Sequence, residues 1–245
     1  MAPPRIHTDY LIIGSGIAGL SAALRAAAHG EVLIVTKREA QECNTRYAQG
    51  GIACVIAEGD SFEEHVTDTL NAGAGLCRVD VVRDIVRAGP ECVRELLDWG
   101  IHFTRRNEVE EVGGSEDGQG FDLGQEGGHS RRRVLHAGDI TGQEIVRVLL
   151  DCCRRNPRIR FLEQHVAIDL ITTRHLSWQE ENLCLGAYVL DRGTRQIRTV
   201  LAGFTILATG GAGKVYLYTS NPDIACGDGV AMAYRAYAEI RNMEF

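Results

Sequence analysis

The chain has 245 residues, 44% of them hydrophobic, enough for one large α/β core or one and a half domains. A formal net charge of −7 argues against nucleic acid as a partner. The eight cysteines, Cys43, Cys54, Cys77, Cys92, Cys152, Cys153, Cys184 and Cys226, form no C-x-x-C, which argues against a zinc site; they read as reduced thiols, mostly small core residues, of a cytoplasmic protein.

Residues 1–9 are too short and polar for a signal peptide, and no apolar run approaches the roughly 18 residues needed to span a bilayer. Glycine makes up 28 of the 245 residues, about 11% against a typical value near 7%. That excess suits loops wrapped closely around a ligand.

Tyr10 to Ile13 is an apolar run that reads as a buried parallel strand. Gly14, Ser15, Gly16, Ile17, Ala18 and Gly19 follow in G-x-G-x-x-G spacing, and Ile17, Leu20 and Leu24 then recur at helical spacing. Gly14 makes the tight turn, Gly16 lets backbone N–H groups approach a pyrophosphate, and Gly19 lets the helix lie close on the strand. The helix N-terminus would face the phosphates. Gly30 is expected to end the helix as a C′ residue, and Val32 to Val35 returns as a second strand. A complete βαβ start is stronger evidence for dinucleotide binding than the glycines alone. One feature departs from the fingerprint. Where an acidic residue usually ends the second strand and holds the ribose, the chain has Thr36-Lys37-Arg38, with Glu39 in a late register. Thr36 and Lys37 are the candidates for ribose or phosphate contact.

Glu42 to Cys54 packs polar residues, an aromatic and the pair Gly50-Gly51 in front of a short apolar run. One reading is a backbone passing close to a flat ligand, with Asn44, Thr45, Arg46, Tyr47, Ala48, Gln49, Gly50 and Gly51 aimed at it; the other is an ordinary loop-to-strand junction. The G-S-G-x-A-G turn of 14–19, with the N-T-x-Y-A-Q-G-G-I-A run of 44–53, resembles the flavoproteins related to fumarate reductase and succinate dehydrogenase. Within that group the chain most resembles the L-aspartate oxidase family. Membrane-bound relatives of the succinate dehydrogenase type attach FAD covalently to a histidine where Asn44 stands, so the resemblance implies non-covalent FAD here.

Asp60 to Ala74 reads as a helix capped by Ser61, with Glu63 and Glu64 in its first turn. The A-G-A-G-L-C of 72–77 again resembles the oxidases. Val79 to Asp98 is amphipathic but interrupted by Gly89-Pro90, which predicts two helices or a break. Gly100 caps the end, and Ile101 to Phe103 is expected as a short strand. Arg105 to Leu123, with Glu110-Glu111 and Glu116-Asp117, is the expected flexible loop or hairpin, with solvated charges.

Gln125 to His136 concentrates a carboxylate, two histidines and three arginines. Arg131, Arg132 and Arg133 could clamp a dicarboxylate, or Arg131 and Arg133 could share the solvated face of a strand. The E-G-G-H-S-x-R-R-x-L-H-A pattern also resembles L-aspartate oxidases, in which the acid at the position of Glu126 orients the amino-acid substrate. Fumarate reductases differ in this segment, so Glu126 is the discriminating residue.

Thr141 to Arg154 is a helix capped by Thr141 or Asp139 and stopped by Asn156-Pro157. Ile159 to Leu162 and Val166 to Ile171 are strands; the resemblance implies that the backbone near Val166 and Ala167 meets the adenine edge. Leu183 to Asp191 and Gln196 to Val200 form a hairpin around Arg192-Gly193. Gly203 to Leu207 is expected as a separate buried strand. It runs into Thr209, Gly210 and Gly211, whose main chain would touch the flavin side of the dinucleotide. Asn221-Pro222-Asp223 is a turn. Asp228 would bond ribityl hydroxyls, cap the next helix, or do both.

Arg241 to Phe245 reads as the start of a strand. The expected fold is α/β, a Rossmann-like FAD-binding domain of the glutathione-reductase type spanning 1–245. The resemblance implies that it is incomplete. It would stop before the capping and helical domains, with the main catalytic arginine and histidines beyond residue 245, so that the polypeptide alone would be poorly soluble and inactive. The implied reaction is oxidation of L-aspartate to iminoaspartate, the first step of NAD biosynthesis, with a hydride passing from the substrate Cα to FAD. Oxygen or fumarate would reoxidise the flavin, and quinolinate synthase is a candidate partner. A soluble fumarate reductase or succinate dehydrogenase subunit, or a non-catalytic FAD-binding fragment, are the alternatives.

Overall fold

The structure is a computed structural model and describes residues 5–106, 120–138, 140–178 and 181–243. The centre of the expected loop at 105–123, the alternative cap Asp139 and the last two residues of the expected terminal strand lie outside the described residues. The chain divides into two compact units, Met1–Tyr47 with Leu149–Phe245, and Ala48–Val148.

The first unit is built on a six-stranded sheet of order β6-β2-β1-β9-β8-β7. These strands are β1 (Arg5–Ile13), β2 (Val32–Val35), β6 (Ile159–Leu162), β7 (His165–Thr172), β8 (Cys184–Asp191) and β9 (Ile197–Leu207). The neighbours β6, β2, β1 and β9 are mutually parallel, while β8 pairs antiparallel with both β9 and β7. Val32 to Val35 is buried throughout, as a strand covered on both faces must be. The sheet core gathers Leu11, Ile13, Leu33, Val35, Val189 and Val200, with Met232 from α5 (Asp228–Arg235). The β8–β9 turn forms at Arg192-Gly193, where Asp191 Oδ1 accepts from the N–H groups of Gly193 and Thr194.

Three expectations change here. Gln196–Val200 and Gly203–Leu207 form one strand, because β1 pairs with β9 on both sides of Gly203, from Arg5↔Thr199 to Thr8↔Ala202 and from Tyr10↔Phe204 to Ile13↔Leu207. That strand is not buried at its end: Phe204 is 64% exposed and stacks on Tyr10 at 5.3 Å between ring centroids. Nor is Gly30 a left-handed cap. The helix α1 (Ile17–Ala26) ends with Ala27 as its C-cap, and Gly30 lies against the Asp9 side chain, where a Cβ would sit 2.8 Å from the Asp9 Cβ. The adjacent Glu31 N–H donates to Asp9 Oδ2 at 2.7 Å.

The second unit carries a three-stranded sheet of order β3-β5-β4, from β3 (Ile52–Ala53), β4 (Leu123–Gly124) and β5 (Val134–Leu135), with helices α2 (Phe62–Ala72) and α3 (Val79–Asp98). Ser61 caps α2 by accepting from the Glu64 N–H at 3.1 Å, as its sequence implies. The helix α3 runs unbroken through Pro90, contrary to the expected break. The residue before a proline normally clashes through its Cβ, and Gly89 has none. Buried Val86, Val93 and Leu96 hold both halves on one face. Gly100 ends α3 as expected, after Trp99 as its C-cap, with Gly100 at φ +97° and the Ile101 N–H bonded back to the Leu96 carbonyl. Ile101 to Phe103 is buried at Ile101 and Phe103 but joins no strand; pairing begins at the Arg105↔Phe121 bridge. The helix α4 (Thr141–Arg155) stops at Asn156-Pro157.

All eight cysteines are free, but only Cys43, Cys54 and Cys153 are buried, so the expectation that most fill the core is corrected. Burial pushes the thiols of Cys54 and Cys153 up to about 12, which makes them inert.

Candidate functional site

The first unit holds a cleft of about 410 Å³ at the carboxyl ends of its parallel strands, lined by Ile13 of β1, Val35 of β2 and Leu207 of β9. This is where open α/β sheets bind ligands, and the volume lies in the range of small-molecule sites, roughly 300–1,000 Å³. Gly14 occupies φ +113°, and a Cβ on it would be driven into the Ala208 carbonyl. A Cβ on Gly19 would strike the Gly14 carbonyl. Both glycines therefore do the packing work their spacing predicts. At Gly16 a Cβ would come within 3.2 Å of Thr45 Oγ1, and that hydroxyl accepts the Ile17 N–H at 3.1 Å. One amide at the helix start is thus satisfied by a side chain from the Asn44–Tyr47 3-10 turn.

The cleft brings together Gly14, Ser15, Gly16, Ile17, Ala18, Lys37, Asn44, Thr45, Ala167, Thr209, Gly210 and Asp228 of the sequence-predicted set. Gly19, Arg46, Tyr47, Val166 and Gly211 belong to the same unit but do not line it. Tyr47 turns its hydroxyl to Glu42 at 2.9 Å, and Val166 is paired with Leu190 in the β7–β8 ladder. Lys37 forms an ion pair with Asp228 across the cleft. Asp228 is the first residue of α5, and the cap is Gly227 at φ +76°. Thr36 is buried and accepts from the Ser15 hydroxyl at 3.2 Å, while Glu39 accepts from Gln164. Sequence reasoning missed Glu42 and His165, which also line the cleft. His165 sits one residue ahead of Val166; its position at a strand start was the only signal.

The remaining candidates, Ala48, Gln49, Gly50, Gly51 and Glu126, lie in the second unit. Gly51 has a packing reason, since a Cβ there would strike the Leu135 carbonyl. Glu126 lies over Gly50, with Oε1 3.2 Å from where a Gly50 Cβ would stand. It begins a turn closed by the His129 N–H on its carbonyl, with Gly128 at φ +86°. Among the described residues, no hydrogen bond or ion pair engages its carboxylate.

The arginines correct both readings of that segment. Arg133 is fully buried: Nε and one terminal nitrogen donate to the two oxygens of Asp60 at 2.8 Å each, and the other terminal nitrogen donates to Asp68 at 2.6 Å. Arg131 pairs with Glu64 at 2.8 Å, and Arg132 donates to the Leu123 carbonyl. These side chains hold the unit together instead of presenting a dicarboxylate clamp or a uniformly solvated face.

His65 is buried beside this network, edge-on to His129 with ring centroids 5.5 Å apart. Burial, the Arg133 guanidinium and His129 hold its pKa below the ordinary histidine value, with Asp60 and Asp68 acting weakly in the other direction. The unfolded chain therefore binds a proton that the folded chain refuses. Stability is expected to be flat above about pH 6.5 and to fall as the pH drops below it toward the folded value. Thermal melts of the wild type and of His65→Phe between about pH 8 and pH 5 check this, the variant losing part of the slope.

A turn whose glycines leave no room for a Cβ, apolar strand ends and a lysine in the lining fit a dinucleotide with a charged diphosphate. The FAD binding domain family model matches residues 9–245, across both units. L-Aspartate oxidase of Pseudomonas aeruginosa is 48% identical over 97% of this chain, and the chloroplastic L-aspartate oxidase 2-b of Nicotiana tabacum is 46% identical over 98%. The chain spans 43% and 35% of their lengths, respectively. A variant of E. coli quinol fumarate reductase superposes with a TM-score of 0.84 at 29% identity, over 95% of this chain and 37% of that one. The chain thus belongs to the FAD binding domain family, and its cofactor is FAD.

Proposed function

We propose that the whole protein is a flavin-dependent L-aspartate oxidase that converts L-aspartate to iminoaspartate at the entry to NAD biosynthesis. Both units would form part of one FAD-binding domain. The observation that carries this reading is Glu126, an exposed carboxylate engaged by no cation among the described residues and set on a glycine turn over Gly50. Such a group suits a substrate ammonium, which a fumarate reductase has no need to bind. Bound FAD would supply the two-electron redox chemistry for the substrate Cα–H, with oxygen or fumarate as the final acceptor. The chain's own residues bind and orient. Lys37 would offset diphosphate charge, Asp228 would bond ribityl hydroxyls, and the Gly14–Gly19 turn would admit the backbone to the phosphates. Asn44 is an amide without a nucleophilic ring nitrogen, so the FAD is held non-covalently. With Arg131 and Arg133 committed to internal pairs, neither is offered to the substrate carboxylates.

We place the protein in the cytoplasm on its free thiols, and keep quinolinate synthase as the candidate consumer of its product. Among the described residues, no helix is long and apolar enough to cross a membrane. The second reading, a fumarate reductase or succinate dehydrogenase flavoprotein subunit, draws support from the likeness to quinol fumarate reductase; a non-catalytic FAD-binding fragment is the third. In the full-length enzyme, Glu126→Gln should lower kcat/KM for aspartate by roughly ten- to a hundredfold, the worth of one charged hydrogen bond, and spare fumarate reduction. Equal loss of both activities would favour the second reading, and the absence of either activity in a yellow wild-type protein the third.

A further inference from the structure

We propose that Asp68 is a positioning residue for Glu126, tethering the turn that carries it to helix α2 through Ser130 and Arg133. The inference rests on the reading of Glu126 as the partner of the substrate ammonium.

Glu126 has no side-chain partner among the described residues, so its backbone turn must place its carboxylate. That turn contains Gly127 and Gly128, the residues with most conformational freedom to lose. Its upstream end is held by the β4–β5 ladder and by the Arg133 N–H on the Gly124 carbonyl at 3.1 Å. Its downstream end is held at Ser130. There Asp68 Oδ2 accepts three donors: the Ser130 N–H at 2.8 Å, the Ser130 hydroxyl at 2.8 Å and Arg133 at 2.6 Å. Within the turn, Gln125 Nε2 donates to the His129 carbonyl at 2.8 Å. Arg133 is itself immobile, because it is buried and forked onto Asp60 beside the Ser61 cap of α2. Burial works against its charge, and Asp60 and Asp68 more than offset that cost. The Ser130 amide, with the Ser130 hydroxyl and Arg133, holds the Asp68 carboxyl down at about 2, so the tether stays charged at any working pH. A catalytic group displaced by about 1 Å can lose up to roughly a hundredfold in rate, so a glycine-rich turn without this tether would place Glu126 poorly.

The test uses the full-length holoenzyme with Asp68→Asn, Glu126→Gln and the double variant, assayed for aspartate oxidation and, on the same flavin, for fumarate reduction. Asp68→Asn should raise KM for aspartate roughly tenfold, change fumarate reduction by less than about twofold, and add nothing in the Glu126→Gln background. An additive effect in that background, or equal loss in both reactions, overturns the positioning role while leaving the reading of Glu126 intact. A Glu126→Gln enzyme that oxidises aspartate normally overturns that reading, and this inference with it. Should Asp68→Asn fail to retain flavin, Ser130→Ala removes one bond of the tether, leaves the Arg133 pairs in place, and carries the same comparison.

Discussion

Arg133→Met is expected to destabilise the Ala48–Val148 unit by about 3–5 kcal/mol, the cost of removing one partner from a buried ion pair. The substitution is close in length and apolar, so the loss comes from the charges left behind and not from a void. The Asp60 side chain is 1% exposed and would keep a carboxylate with neither water nor a cation beside it. Urea unfolding of the full-length protein measures the difference. Arg133→Lys should recover little of it, because an ammonium cannot span Asp60 and Asp68 with a rigid fork. Arg133→Met combined with Asp60→Leu should recover much of it, since replacing a buried pair by apolar groups is often neutral. A single-variant loss under about 1 kcal/mol would mean that Asp60 finds solvent and that the network contributes little.

Gly14→Ala should abolish flavin retention. The residue holds φ +113°, where an L side chain is strained by about 1–3 kcal/mol before any contact is counted. The added Cβ would also collide with the Ala208 carbonyl, which is main chain and cannot rotate away. Relief requires the β1–α1 turn or the strand end at Leu207-Ala208 to move, and both line the cleft. The expected result is a colourless protein after desalting and a lower melting temperature. Gly59→Ala is the control: it is exposed, has open space around it and no positive φ, lies outside the cofactor candidates, and should stay yellow. A yellow Gly14→Ala protein of unchanged stability would mean that the turn does not form as described.

The glycine turn was legible because its chemistry is local. A strand, three glycines at fixed spacing and an amphipathic helix specify their conformation and ligand class within one short segment. The Ser61 cap, the Gly100 stop and the Arg192-Gly193 hairpin were legible for the same reason. Pro90 misled because the penalty of a proline in a helix depends on the residue before it and on what the two halves pack against; Gly89 removes the clash and Val86, Val93 and Leu96 bind the face. The segment 196–207 misled because a glycine at 203 interrupts its apolar run, while β1 lies alongside and pairs with the chain on both sides of that glycine.

The arginine cluster shows the same division. Its density in an acidic chain was visible, but its partners Asp60, Glu64 and Asp68 stand more than sixty positions away in sequence, and nothing in a linear pattern pairs them. Sequence alone thus determined the βαβ start and the dinucleotide class of the turn at 14–19, because both depend on near neighbours in the chain, whereas Glu126 was singled out by resemblance. The order of the strands, the continuity of α3 and β9, and the burial of Arg133 were decided by tertiary structure, because long-range packing and backbone pairing outweigh local preference wherever the two compete.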